Sequence, residues 1–390
     1  MKAAIIGAGI GGLTTAITLQ QSGIESEIFE AAPELKPVGA GIVMASNAMQ
    51  VFQRLGIEKK VIEAGLEIVE ANVVDQSFRL ISGLALKEKV AHRYGIGSYA
   101  FHRGRLQQAL LNELDINKIH LFKRLTSIAQ LAQKVVMEFE DGSTAEADLA
   151  IGADGIKSVV RKNIMGEVPL RYSGQTCWRG MAKFSLKPLP SPLWGPGGFN
   201  SYEMLGKQKG LRFGFVPTSE NEVYYFTTYF TEADGNDEPG QVRKKLLNLY
   251  SVFGDIPTQL IEATPEENII RSDINDFVPI KQWWQGRVAL LGDAAHATTP
   301  NLGQGGCQAV EDAYVIAKCL KENPSPEKAF EQYQNIRYKK AVHVVNMSWN
   351  FGKMTNIGNP ILQYFRNSAM RMMPESIAIK QLDKILKLNY

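Results

Sequence analysis

The stretch GRVALLGDAAHATTPNLGQGGCQAVEDA, residues 286–313, restricts the fold more than any other part of the chain. Residues 288–291 are a short apolar run, as expected of a strand buried on both faces in a parallel sheet. Gly292 permits a sharp turn and leaves Asp293 at the carboxyl end of that strand, the end where open α/β sheets bind ligands. Pro300 stops a helix from starting early. Gly303, Gly305 and Gly306 let backbone approach a flat molecule closely. Apolar residues then recur at helical spacing from Cys307 to Leu320, so a helix amino end, with roughly half a positive charge, points back at Asp293.

The amino terminus supplies a second ligand-binding turn. Residues 3–6 are a buried strand, Gly7-Ala8-Gly9-Ile10-Gly11-Gly12 contains G-x-G-x-x-G, and residues 13–21 read as a helix. A second strand follows over residues 24–29 and ends at Glu30, with Ala31 next. This is the dinucleotide fingerprint in its required context. The glycines make the turn and admit a pyrophosphate to the helix end, and an acid about 20 residues on takes ribose hydroxyls. The fingerprint does not distinguish FAD from NAD. A carboxylate for ribityl hydroxyls beside a helix end that can stabilise an anion suits a flavin, so the Asp293 stretch decides for FAD.

GDAAH followed by P-x-x-G-Q-G resembles the second FAD motif of the class A flavoprotein monooxygenases, the para-hydroxybenzoate hydroxylase-like family. Asp293, Pro300, Gly303, Gln304 and Gly305 match it, and the motif continues through Gly306. The run GQGGC with Glu311-Asp312-Ala313 is similar to the FAD-dependent urate hydroxylase branch, with Cys307 where many members carry Asn. The resemblance spans residues 1–350 and implies the rest of the cofactor site. Ile42 and Val43, in the glycine-bearing stretch 37–43, would line the flavin, although by spacing alone that stretch reads equally as a surface loop. Arg103, which fits an Arg-x-x-Leu helix start better than Arg105, would approach the pyrophosphate and ribityl chain. Leu125 would contact the adenine side. Asp154, in Gly152-Ala153-Asp154-Gly155, would belong to the family's Asp-Gly motif, with Arg161 towards phosphate.

The resemblance also implies the chemistry: NAD(P)H reduces FAD, O2 adds to give a C4a-hydroperoxide, and a planar aromatic or heteroaromatic small molecule is hydroxylated. Arg212 and Tyr224 fall where urate hydroxylase has a substrate-contacting arginine and tyrosine. A planar donor fork suits a carbonyl-rich or anionic ring, and a tyrosine stacks on it. A sheet arginine and a core tyrosine explain the pair equally well. Trp178-Arg179-Gly180 can also approach such a pocket. Two other readings compete: an FAD-dependent epoxidase or reductase of an isoprenoid or polyketide, and a flavin-binding sensor without turnover.

The expected fold is α/β: a Rossmann-like FAD-binding domain (1–70, 99–171 and 269–323), a mostly antiparallel substrate domain (71–98 and 172–268) and a helical region (324–390). Near-alternating aromatic and branched residues over 176–184, 198–205, 211–216 and 222–230 motivate the second sheet. A length of 390 residues suits two domains. A net charge of +3 is too small to imply nucleic acid. The three cysteines show no paired spacing, which fits a cytoplasmic protein and neither a disulfide framework nor a zinc site. No second dinucleotide fingerprint is present, so NAD(P)H is expected to bind transiently. No stable membrane insertion is expected. Residues 359–373 are apolar with two arginines, a pattern that either packs on its own domain or lies on a membrane or a partner.

Overall fold

The computed structural model describes residues 1–35, 40–185, 194–195 and 198–390. Of the glycine-bearing stretch 37–43, residues 37–39 lie outside the described residues. A six-stranded sheet runs in the order Trp284–Gln285, Val288–Leu290, Leu149–Gly152, Lys2–Ile6, Glu25–Phe29, Ile119–His120. All its pairs are parallel except the edge pair Trp284–Gln285 with Val288–Leu290. Ala3 to Ile6, Leu149 to Ile151 and Val288 to Leu290 are all buried, which accounts for their unbroken apolar sequence. The helices Ile10–Gln21 and Gly305–Glu322 pack on each other beside this sheet. A three-stranded antiparallel meander, Leu125–Gln130, Val135–Phe139 and Thr144–Ala147, adjoins it.

The second sheet is larger and mixed. Its main path runs Ile270–Asp276, Arg171–Lys183, Glu222–Phe230, Arg212–Ser219, Gly198–Leu205, Gly65–Asp75, Ser98–His102, Gly41–Met44. Every step is antiparallel except Gly198–Leu205 with Gly65–Asp75, which is parallel. Its hydrogen bonds cross the boundaries expected from the sequence. The expected break at 70/71 falls inside Gly65–Asp75, and Gly41–Met44 belongs to this sheet. One face carries Trp178, Phe213, Phe215, Tyr225 and Met204, a core closed by the helices Val242–Tyr250 and Asp255–Glu262. The second of those helices is not evident in the sequence pattern.

The chain after residue 324 is helical. The expected helical region opens with one helix of 30 residues, Pro326–Thr355. Ser325 caps it, accepting from the N–H of Lys328. Pro360–Arg371 follows, capped by Asn359, and then Glu375–Leu386. Among the described residues no helix is long and apolar enough to cross a membrane.

Candidate functional site

Three neighbouring parallel strands end at one edge of the six-stranded sheet and deliver three turns side by side. Lys2–Ile6 leads into Gly7, Leu149–Gly152 into Ala153 and Asp154, and Val288–Leu290 into Gly292 and Asp293. Backbone hydrogen bonds stitch the turns together: Gly7 N–H to Phe29 O at 2.8 Å, Ala153 N–H to Ile6 O at 2.8 Å and Leu291 N–H to Gly152 O at 3.0 Å. The glycines divide by role. A Cβ on Gly12 would lie 2.0 Å from Gly7 O, and one on Gly7 would lie 2.6 Å from Ala153 O. One on Gly11 would meet Leu291 and Ala309. These three allow the turn and the helix to pack. A Cβ on Gly9 would meet nothing within 4 Å, so Gly9 faces the space a ligand would fill.

That space is a cleft of about 660 Å³ lined by Gly7, Gly9, Glu30, Ala31, Leu125 and Asp154 among others. Glu30 is fixed at its floor, where its carboxylate accepts from the N–H of Ala8 at 2.7 Å and of Ala32 at 2.8 Å. Four cations line the cleft: Arg103, Lys123, Arg124 and Lys157. No motif in the sequence marks the last three, since the turn before Leu125–Gln130 and the loop after Asp154 bring them in. Arg103 opens the helix Arg103–Leu111 and is exposed. Arg105 instead turns to the second sheet and pairs with Glu222. Asp154 caps the next helix: it accepts from Ser158 Oγ at 2.6 Å and from the N–H of Val159 and Val160 at 2.7 and 3.1 Å. Arg161, expected towards phosphate, is buried. It donates to Ala294 O and Ile156 O and lies over the Phe277 ring.

Asp293 stands at the carboxyl end of its strand with no hydrogen-bond partner among the described residues. Surrounding protein pushes its carboxyl up, against the charges of His296 and Arg103, yet its side chain remains exposed. A carboxylate so placed has capacity for hydroxyl donors, which is the chemistry a ribityl chain offers. Gly305 lies close to it, a Cβ there being 3.6 Å from Asp293 Oδ1, and opens the helix Gly305–Glu322. Pro300 begins the short turn Pro300–Leu302, and Gly303 closes it at φ +61°, a left-handed conformation that favours glycine. Ile42 packs towards Gly306, and Cys307 ties the same strand down. The Cys307 sulfur accepts from the N–H of Ala45 at 3.3 Å and lies 3.6 Å from Val43 O. Burial pushes that thiol up to about 12, so it is a protonated strut at neutral pH. Gln304 is buried too, its side-chain oxygen accepting from Asn47 and Gln308.

Behind the Asp293 turn lies a buried ionic network that the sequence does not announce. Arg337 donates to Asp312 at 2.8 Å, Glu311 at 2.7 Å and Gln308 at 2.6 Å, and Arg337, Asp312 and Glu311 are fully buried. Asp312 in turn accepts from the N–H of Gly292 at 2.9 Å and pairs with His296. Burial alone would raise the Asp312 carboxyl, but the charges of His296 and Arg337 outweigh it and hold it well below the usual carboxylate range. Glu311 also receives Lys340, Asn47 and the hydroxyl of Tyr390. The helix Pro326–Thr355 and the last residue of the chain therefore brace the turn that presents Asp293.

The inner face of the second sheet roofs this region. Register places Cys177, Arg179 and Met181 beside Thr228, Phe226 and Tyr224, and these beside Arg212, Gly214 and Val216. Tyr224 lies directly on Gly41, where a Cβ would come within 2.3 Å of its ring, so the roof and the strand carrying Ile42 and Val43 are in contact. Burial pushes the Tyr224 hydroxyl above the usual tyrosine value, while the neighbouring Arg179 charge opposes the rise. Arg212 is only 2% exposed. It donates to Thr228 at 3.1 Å, Glu203 at 2.8 Å and Asn301 at 2.7 Å, and so links the roof to the turn Pro300–Leu302. Arg179 is different. It is half-buried, lies beside the Cys177 sulfur and Tyr224, and makes no ion pair among the described residues. Neither its guanidinium nor the Tyr224 hydroxyl bonds to oxygen or nitrogen there. Trp178 points to the opposite face, where its ring N–H meets Asp237.

Comparison with known proteins agrees with this geometry. A family profile described as "FAD binding domain" matches residues 1–348. The aurachin C monooxygenase/isomerase of Stigmatella aurantiaca is 40% identical over 372 residues, covering 95% of this chain and 93% of that protein. The 2-heptyl-3-hydroxy-4(1H)-quinolone synthase of Pseudomonas aeruginosa is 30% identical over 383 residues, covering 96% and 95%. The structure of Klebsiella pneumoniae HpxO complexed with FAD and uric acid superposes with a TM-score of 0.88 at 29% identity, covering 98% of this chain and 95% of that one.

Proposed function

Since the chain belongs to the FAD binding domain family and is an FAD-dependent monooxygenase, we propose that it oxygenates a planar nitrogen heterocycle of the quinolone kind, with NAD(P)H and O2 as co-substrates. The relatives named for aurachin C and for a heptyl hydroxyquinolone support this substrate class. FAD, when bound, supplies the redox chemistry, and this chain's residues supply binding, orientation and charge. In this reading Gly9 and the helix it opens receive the pyrophosphate, Glu30 receives adenosine ribose hydroxyls, and Asp293 receives ribityl hydroxyls. The amino end of Gly305–Glu322 stabilises negative charge on the flavin ring.

At the roof, Arg179 offers its fork to a ring carbonyl or enolate, and Tyr224 and Phe226 contact the ring face. We assign Arg212 to positioning: closed into Thr228, Glu203 and Asn301, it holds the turn before Gly303. A cytoplasmic setting is consistent with three cysteines that are all free and buried. The observation that carries the reading is the convergence of three strand ends, with a carboxylate at the third that has no hydrogen-bond partner among the described residues, and a neighbouring sheet face whose Arg179 guanidinium meets no oxygen acceptor among them.

The test is NADH and NADPH oxidation by the flavin-loaded protein with 4-quinolones, alkyl-substituted and unsubstituted, and with urate, while oxygen uptake and product mass are followed. Stimulated turnover giving a quinolone product heavier by one oxygen atom supports the proposal. Coupled turnover of urate alone refutes the substrate class and leaves the monooxygenase assignment intact.

A further inference from the structure

The helix Pro360–Arg371 is built inside out. The side chains it buries are polar, Gln363 and Arg366, while Ile361, Leu362, Tyr364 and Phe365 point outward at 66, 54, 68 and 62% exposure. Its inward face is held by hydrogen bonds to main-chain carbonyls. Gln363 Nε2 donates to Lys207 O at 2.9 Å and to Ile357 O at 2.7 Å, and Arg366 Nη1 donates to Met354 O at 3.4 Å. The Asn359 cap fixes where the helix starts. The apolar face is therefore presented outward by specific polar contacts. Met372, Met373 and Ile377 follow the helix in the chain, also exposed, and exposed Leu80 adjoins its end, where its carbonyl accepts from Arg371 Nε at 3.3 Å. Of the 17 large apolar side chains exposed among the described residues, seven fall between 361 and 377. Scattered exposure needs no explanation, but seven such side chains gathered on one helix and the residues just after it mark a candidate interaction surface.

Charge identifies what covers it. Arg371 closes the helix, and Lys380 and Lys384 are exposed on the following helix Glu375–Leu386. None of the three forms an ion pair among the described residues. Asp383 offers them no neutralisation, since Arg93 and Tyr94 hold its carboxylate. An aliphatic and aromatic face with a cationic edge fits a lipid surface bearing anionic headgroups, with apolar side chains at the acyl boundary and the cations among phosphates. A second copy of the chain on the same face would set one cationic edge against another. A helix of 12 residues is about 18 Å long, too short to span a bilayer, so it would lie in the interface plane. We propose that this face docks the enzyme peripherally on an anionic phospholipid membrane.

The experiment is vesicle co-sedimentation of the FAD-loaded enzyme, with phosphatidylcholine alone and with phosphatidylcholine containing phosphatidylglycerol. Two variants are compared, L362E/F365E and R371E/K380E. Unchanged FAD content and unchanged NAD(P)H oxidation without vesicles show that both are folded. The wild type should bind the anionic vesicles and release them at high salt. L362E/F365E should bind about a hundredfold more weakly, from the loss of two buried apolar side chains, and R371E/K380E should lose its preference for the anionic lipid. No binding by the wild type, or equal binding by L362E/F365E, overturns the proposal. So does a dimer in sedimentation velocity that L362E/F365E dissociates while wild-type enzyme ignores vesicles, since a second copy then covers the face.

Discussion

Replacing Arg337 by Met tests whether the buried network behind the Asp293 turn is a structural requirement of the cofactor site. The change removes three charge-assisted donors, to Asp312, Glu311 and Gln308, from a fully buried location. Breaking a buried ion pair by removing one partner costs about 3–5 kcal/mol. Here Glu311 keeps Lys340 at 2.8 Å, and Asp312 keeps His296 and the N–H of Gly292. The lower end, about 3 kcal/mol, is therefore expected. With an unfolding entropy of about 2.1 cal/mol/K per residue, a chain of 390 residues has about 0.8 kcal/mol/K, so the melting midpoint should fall by about 4 °C. FAD affinity should fall with it, because Asp312 accepts from the N–H of the residue before Asp293.

The effect depends on pH in a defined direction. The folded Asp312 carboxyl lies below its unfolded value of 3.8, so its stabilisation is present above that value and is lost as pH falls through the folded one. Without Arg337 the folded value rises, and the gap between variant and wild type should close as pH is lowered below about 4. Calorimetry with and without FAD, and titration of flavin fluorescence, read both effects. A midpoint and an FAD affinity equal to wild type would refute the reasoning.

Gly9→Ala and Gly12→Ala should separate ligand contact from packing. The first adds a methyl to open space and should lose FAD while the apoprotein melts near the wild-type midpoint; the second drives a Cβ to 2.0 Å from Gly7 O and should lower that midpoint as well. Equal melting of the two apoproteins would contradict the division. Asp293→Asn should weaken FAD between about tenfold and a hundredfold, the worth of a charge-assisted hydrogen bond, and equilibrium dialysis against FAD measures it. Arg179→Gln should leave FAD content unchanged and raise KM for the oxygenated ring more than it lowers kcat; unaltered steady-state kinetics would remove Arg179 from the substrate site.

Much of the cofactor half is legible because glycine spacing, apolar strands and isolated carboxylates are local properties. Gly7 to Gly12, Glu30 and the Gly292-Asp293 turn each announce a strand, a turn and a helix within a few residues. The substrate half is less legible, because alternation in a strand tells which residues share a face but not which face meets the cofactor. Arg212 and Arg179 lie on the same face, two strands apart through Glu222–Phe230, yet three partners enclose the first and no oxygen acceptor among the described residues meets the second. The network around Arg337 was equally hidden, since Arg337 lies 25 residues from Asp312 in the chain and only folding brings them together.

The amino-acid sequence by itself determined the α/β class, the dinucleotide fingerprint and the preference for a flavin, because backbone conformation and strand burial impose those residues locally. Tertiary structure alone decided three further matters: that the three turns share one sheet edge, that Asp293 has no hydrogen-bond partner among the described residues while Asp154 is engaged in capping, and that an apolar helix face is turned outward. Each depends on partners distant in sequence competing for the same donors and acceptors, and that competition is resolved only when the strands and helices pack.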